Sequence, residues 1–277
     1  MKIIQLKKNS LLKIILKRSF YLFTNIFYFF NQKKIYLYLN KKIKIKVNNF
    51  INKKFIYQDN SKVKLFNSNQ FIYEEEESMK IISNSSKKFI FIDIGSHHGY
   101  FSFISSNFFK EIYSVEISNI FLKNQIKISK YNNISNIKFF NYAIFDGFSN
   151  ISYTDYIKTY TSQTITLINF LNMKNLDKEK IFLKVDVNGF EIPLLSDINK
   201  NSKNIDYVLV DIYLNFIDIS KAKSLLFSLL DIYKNAEVLT HLKRSNNKFF
   251  NIDKKSLQNL LVNSKHSILT LFLSKNF

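Results

Sequence analysis

The sequence predicts an α/β fold built on a mostly parallel sheet with helices on both faces. Three observations carry this. From Phe89 onward the chain holds short apolar runs, continuous at Phe89–Ile92 and similar at Ile112–Val115, Ile137–Phe140, Ile181–Val185 and Tyr207–Val210, as expected of strands buried on both faces. Segments with helical spacing lie between several of these runs. The four glycines, Gly95, Gly99, Gly147 and Gly189, stand at or near predicted strand ends. Strand and helix in alternation are the pattern of a parallel sheet with crossover helices.

In chain order, residues 1–33 come first and read as a basic amphipathic helix. Ser10, Lys17, Thr24 and Asn31 recur every seven positions and leave a wide apolar face that includes Leu12, Ile15, Leu22, Ile26 and Phe29. The uninterrupted apolar part, Ser19–Phe30, is too short for a spanning helix of about 20 residues. No small-residue cleavage site follows it, so an export signal is not expected. Such a face either packs on the domain or lies in a membrane interface, where its rings sit at headgroup depth beside Lys13, Lys17 and Arg18. Residues 34–75 show period-two alternation, with Ile43, Ile45 and Val47 between lysines and then Val63 and Leu65 likewise. This predicts a small β cap. Residues 76–277 form the expected core, and with the cap they make one domain. Helices are predicted at Tyr100–Phe109, Ile120–Lys130, Thr166–Met173 and Lys221–Tyr233. Strands at Ala236–Leu242 and Ser267–Leu273 flank a last helix at Leu257–Val262.

Composition bounds the chemistry. There are 277 residues with a net charge of +20, yet of 41 basic residues only Arg18 and Arg244 are arginine. Lysine, Asn, Ile, Phe and Tyr abound while Gly and Pro are scarce, the set favoured by AT-rich codons. A surface selected to grip phosphate enriches arginine for its bidentate fork, so base composition accounts for the charge better than a polyanion site does. The lysines still make a field that attracts anionic membranes and, weakly, nucleic acid. With no cysteine, disulfides, thiolate zinc sites and cysteine nucleophiles are excluded. The four histidines show no metalloprotease spacing. A cytoplasmic protein, peripheral at the inner face of a membrane, is the expectation.

The chemistry is written at the strand ends. In Phe91-Ile-Asp-Ile-Gly-Ser-His-His-Gly-Tyr100 a buried strand ends near Asp93 and a glycine turn leads into a helix. Glycine permits the sharp turn and the approach of a ligand to the main chain, and a helix start offers free N–H groups to a carboxylate. Glu116 ends the next strand about 20 residues after Gly95, the separation expected between such a turn and an acid that accepts the hydroxyls of an adenosine ribose. Dinucleotide sites want G-x-G-x-x-G with room for pyrophosphate; here Ser96 and His97 fill that room. The loop favours an adenosyl ligand without pyrophosphate.

Three further stretches share a family's pattern. Asn141-Tyr-Ala-Ile-Phe-Asp-Gly147, Thr164-Ile-Thr-Leu-Ile-Asn-Phe-Leu171 and Ile181-Phe-Leu-Lys-Val-Asp-Val-Asn-Gly-Phe-Glu191 follow the glycine loop in the order found in FkbM-type methyltransferases, which this chain resembles. The resemblance implies a Rossmann-like class I methyltransferase sheet of seven strands and S-adenosylmethionine as cofactor. It implies that Asp93, Gly95 and Gly99, with Ser96 and His97 in the same loop, hold the methionine end. Glu116 and its neighbour Ile117 take the ribose, and Ala143 to Asp146 edge the adenine. The chain departs from the pattern at His97 (usually Asn), Ile117 (Pro), Ile168 (Asp) and Asn188 (Glu).

Methyl transfer asks a protein mainly for in-line positioning and exclusion of water. A hydroxyl acceptor also needs a base. Asp186, at the tip of the fourth strand, is the first candidate, then Glu191 and His98. A loop-holding role for Glu191 and a positional role for either histidine are the alternatives. Asp186 and Glu191 have the chemistry to share a divalent metal with a diol substrate, but no residue is assigned to a metal. The acceptor is expected to be a sugar, a lipid or another small molecule. The fourth strand ends Asp-Val-Asn-Gly rather than in an aromatic base-stacking motif, which disfavours nucleic acid. A non-catalytic protein that binds the cofactor, a membrane or a glycan surface is the other reading of the altered motif positions.

Overall fold

The computed structural model describes residues 58–59, 62–63, 78, 81–82, 84, 87–147, 150–154, 159–240, 249–262 and 268–275. All belong to one compact unit that begins at Phe55. The predicted N-terminal helix and most of the predicted β cap, Ile43–Val47 included, lie outside the described residues. From the cap region, β1 (Gln58–Asp59) pairs antiparallel with β2 (Lys62–Val63).

The core is the expected α/β fold, a Rossmann-like, mostly parallel sheet. Its central strand is β3 (Ile90–Ile94). On one side of it lie β4 (Glu111–Val115) and β5 (Ile137–Phe140), both parallel. On the other lie β9 (Ile181–Val185) and β10 (Ile205–Tyr213), also parallel. Beyond β10 the sheet continues through β13 (Ile268–Ser274), which runs antiparallel to both its neighbours, to β11 (Asn235–Thr240). An eighth strand, β12 (Phe250–Asn251), adds two residues at that edge, one more than the seven anticipated. A separate three-stranded sheet holds β6 (Ala143–Ile144), β8 (Thr159–Ile165) and β7 (Asn150–Thr154) in that order. Strand order reverses at β3, so the crevice at the carboxyl ends of β3, β4 and β9 is where a doubly wound sheet takes its ligand.

The helices follow from caps and apolar spacing. In α1 (Tyr100–Ser105) the first turn opens from Gly99 at φ 82°. The predicted helix ran to Phe109, but the chain leaves helical geometry after Ser105. Phe109 instead turns inward and packs on Phe91 and Phe182, with ring centroids 4.9 and 5.6 Å away. Ser118 caps α2 (Asn119–Tyr131) through the Phe121 amide, and Thr166 caps α3 (Leu167–Met173) through Asn169. Sequence reasoning did not anticipate α4 (Glu191–Lys200), whose Pro193 falls in the first turn, where proline is tolerated. Asp218 caps α5 (Ile219–Ile232), whose Ala222, Leu226 and Leu229 are fully buried. The last helix is α6 (Lys254–Val262). The main core fills the sheet with residues such as Ile92, Leu183, Val185, Val210 and Leu271. In β9 all five residues are buried, one of them Lys184.

Candidate active site

A cavity of about 270 Å³ opens at the carboxyl ends of β3, β4 and β9. Ile94, Gly95 and His97 form one side. Glu116, Ile117, Ser118 and Phe121 form the second, Tyr142 to Phe145 with Ile151 the third, and Asp186 to Asn188 with Phe190 the fourth.

The turn after β3 is held from several directions. The amides of Gly95 and Ser96 donate to the Val115 carbonyl at 3.0 and 3.1 Å, and the Gly99 amide to Ser96 at 2.7 Å. Gly95 sits at φ +77°, and a Cβ there would stand 1.9 Å from the Asp186 carbonyl oxygen. No side chain fits, which explains a glycine in a glycine-poor chain. Gly99 is similarly hemmed in by Phe103 and Gln125. His97 and Asn188, both departures from the FkbM pattern, are at φ 50°, a left-handed conformation in which Asn and His are enriched among non-glycine residues.

Glu116 is 5% exposed at the tip of β4. Its Oε2 accepts the His97 amide at 2.7 Å and its Oε1 the Ser118 amide at 2.8 Å. Burial pushes its carboxyl up to about 7, against the pull of those two N–H groups. Asn141 braces this turn by donating to the carbonyls of Glu116 and Ile117, both at 2.8 Å.

Across the cavity, Asp186 accepts the Tyr213 hydroxyl at 3.0 Å on Oδ1, and Lys184 Nζ stands 3.7 Å from Oδ2. Burial first, then the carboxylates of Asp186 and Asp211, raise the Tyr213 phenol well above its ordinary range. Tyr213 is therefore the donor in that bond.

The remaining predicted residues fall behind or beside the wall. Asp93 is fully buried; Ser102 donates to its Oδ2 at 2.7 Å, and Lys184 Nζ is 3.4 Å from Oδ1. Asp93 thus holds the start of α1 to the sheet and does not line the cavity. Ser96 and Gly99 shape the turn from behind. His98 packs edge-on to His97 and Phe121, with centroids 4.1 and 4.6 Å away, and is also outside the lining. Glu191 is fully buried at the start of α4, where its Oε1 accepts the Gly189 amide at 2.8 Å. Its Oε2 is buried with no hydrogen-bond partner among the described residues, and burial pushes the carboxyl up to about 7. Asp146 is exposed beyond the Ala143 edge. Among the described residues no group of three or more His, Asp or Glu side chains is placed to hold a metal ion.

Several residues that build the site had not been singled out. Gln125 is fully buried and donates to Ser96 Oγ and the His97 carbonyl at 2.9 and 2.7 Å, while accepting from Ser114. An amide between Leu122 and Ser129 on the inward stripe of α2 was its signal. The signal for Lys184 was a charge inside the run Ile181–Val185.

No protein-family model and no curated protein matches the sequence. Among solved structures, the FkbM methyltransferase of Methylobacillus flagellatus is 12% identical with a TM-score of 0.45, covering 73% of this chain and 47% of that one. A putative methyltransferase from Streptococcus mutans in complex with SAH is 13% identical with a TM-score of 0.41, covering 72% and 96%. The precorrin-6y C5,15-methyltransferase of Geobacter metallireducens is 11% identical with a TM-score of 0.39, covering 71% and 85%. At these similarities the functional reading rests on the site itself.

Proposed function

We propose that the protein is an S-adenosylmethionine-dependent, FkbM-like methyltransferase that methylates a hydroxyl of a sugar, lipid or other small-molecule acceptor. The observation that carries this reading is that one cavity receives both Glu116 and Asp186, with the Gly95 turn between them. Each Glu116 oxygen accepts one backbone N–H and retains lone-pair capacity for a ribose hydroxyl. Ile117, Phe121 and the Tyr142–Phe145 edge supply apolar surface for an adenine. The turn leaves no glycine-made space for pyrophosphate.

Bound S-adenosylmethionine supplies a methyl group already made electrophilic by its sulfonium. The chain's task is to orient and to exclude water. Asp186, fixed by Tyr213 and Lys184, is the group that would align the acceptor hydroxyl and accept its proton on a carboxylate oxygen. Glu191, turned onto the Gly189 amide, holds the loop that carries Asn188 and Phe190. His98 buttresses His97 and Phe121.

Transfer of label from methyl-tritiated S-adenosylmethionine to glycan, lipid or small-metabolite fractions tests the activity. Label in one fraction, lost in Asp186→Asn, supports it. Cofactor binding without transfer to any fraction leaves a binding protein instead.

The proposed location is the cytoplasm, with residues 1–33 in contact with the inner face of an anionic membrane. Each cation near such a surface adds about 1 kcal/mol. No helix among the described residues is long and apolar enough to cross a membrane. A protein lacking residues 1–33 that keeps cofactor binding but no longer sediments with anionic liposomes supports this. Unfolding of the truncated protein, with the full chain ignoring liposomes, contradicts it.

A further inference from the structure

Among the described lysines and arginines, Lys184 is the buried one. Its ammonium lies 3.4 Å from Asp93 Oδ1 on β3 and 3.7 Å from Asp186 Oδ2, and sits 4.6 Å over the Phe101 ring of α1. Burial works against this charge, but the carboxylates of Asp93, Asp186 and Asp211 outweigh it and raise Lys184 above the ordinary lysine range. The lysine is therefore charged, and one cation is set against three carboxylates. Glu116 feels two of them, since Asp93 and Asp186 both act to raise it. Of Lys184 and its three carboxylates, only Asp186 reaches the cavity; Asp93, Asp211 and Lys184 are not in its lining.

The methyl donor and its demethylated product share the adenosine and amino-acid parts, so contacts to those parts largely cancel when the two are compared. They differ by the sulfonium's unit charge. Resting on the cofactor reading above, we infer that the excess of carboxylates around Lys184, with Asp93, Asp186 and Asp211 set against one ammonium, gives the cavity its preference for the cationic donor over the neutral product. Asp93, Asp211 and Lys184 act through the field across the wall and touch neither ligand. A unit charge within about 10 Å, through partly buried protein, changes the affinity for a cation by about tenfold. A neutral ligand of the same shape is left nearly unaffected. The consequence is a site at which the donor outcompetes the product more strongly than shape alone dictates.

The test measures the ratio of Kd for S-adenosylhomocysteine to Kd for S-adenosylmethionine by calorimetry, in variants whose folding is checked by thermal melts. Asp93→Asn keeps the acceptor for Ser102 and removes one negative charge, and the ratio is expected to fall about tenfold. Adding Lys184→Met to Asp93→Asn removes the compensating positive charge, and the ratio is expected to return to within about threefold of the native value. A purely structural pair would weaken both ligands together and leave the ratio unmoved. Asp211→Asn, at a half-buried position, removes a unit charge without touching the turn and is expected to lower the ratio too, which covers the case of an unfolded Asp93→Asn. An unchanged ratio in a folded single variant, or a double variant displaced further in the same direction, overturns the inference. Failure of the native protein to bind either ligand removes the cofactor reading and this inference with it.

Discussion

The His97 amide donates to Glu116 Oε2 at 2.7 Å, and this one bond ties the turn after β3 to the tip of β4. The proposed cofactor turn and the proposed ribose acid are therefore tied together. Because burial holds the Glu116 carboxyl at about 7, the group is only partly ionised near neutrality in the free protein. Ribose hydroxyls prefer the ionised form as acceptor. Affinity for S-adenosylmethionine is expected to rise by about tenfold from pH 6 to pH 8 beyond the change seen in Glu116→Gln, which cancels titration of the ligand itself. Parallel pH profiles of the two proteins would contradict this.

Glu191 gives a stability prediction with a definite sign. Its carboxyl is raised from 4.5 to about 7 in the folded protein. The folded state therefore binds the proton more tightly than the unfolded state does. That contribution is fully present below about 4.5 and is lost as pH rises through about 7. Glu191→Gln resembles the protonated acid, so the variant should gain on the native protein by about 2 kcal/mol between pH 5 and pH 8. Urea midpoints at the two pH values check it; a difference independent of pH would count against the assignment.

The glycines separate strain from collision. Gly147 is at φ +73° with nothing among the described residues within 4 Å of an added Cβ, whereas at Gly95, at φ +77°, the Cβ meets the Asp186 carbonyl oxygen at 1.9 Å. Gly147→Ala should cost about 1 kcal/mol from backbone strain alone. Gly95→Ala should cost about 3 kcal/mol or more and weaken the cofactor, since the Asp186 loop must shift. Equal effects on denaturation midpoints would mean that the turn yields more easily than its contacts imply.

Asp186→Asn is expected to leave affinity for S-adenosylhomocysteine within a few-fold, to weaken S-adenosylmethionine by about tenfold through the lost charge, and to lower turnover by about a hundredfold. Tyr213→Phe removes the hydroxyl that aligns the carboxylate and should lower turnover less, by about tenfold. If Asp186→Asn instead abolishes cofactor binding in a folded protein, the residue is a cofactor ligand.

The sheet was legible because its strands are largely buried and so appear as mostly apolar runs; Ile137–Phe140 and Ile181–Val185, each broken by a single lysine, agree with the structure at both ends. Gly95, Glu116 and Asp186 could be singled out because a doubly wound sheet gathers its strand ends at one crevice, and all three line one cavity. What the sequence hid were residues whose meaning lies in contacts across long separations. Gln125 reaches back 29 residues to Ser96, and nothing local distinguishes it from a surface glutamine except the helical face it occupies. Asp93 reads like a ligand because it adjoins the turn, yet strand alternation aims it away from the cavity and toward Lys184 and Ser102. The β7–β8 pair escaped notice because its residues, such as Ser152, Thr161 and Gln163, are too polar to form an apolar run.

The central claim is that Glu116 binds the ribose of an adenosyl cofactor lacking pyrophosphate. It is tested most directly by calorimetric titration of S-adenosylmethionine into the native protein and into folded Glu116→Ala, with NADH as the competing ligand. The account predicts binding to the native protein, a loss of about 2 kcal/mol or more in the variant as two charge-assisted hydrogen bonds go, and no measurable binding of NADH. Equal affinity of native and variant proteins for S-adenosylmethionine, or micromolar binding of NADH, would contradict it.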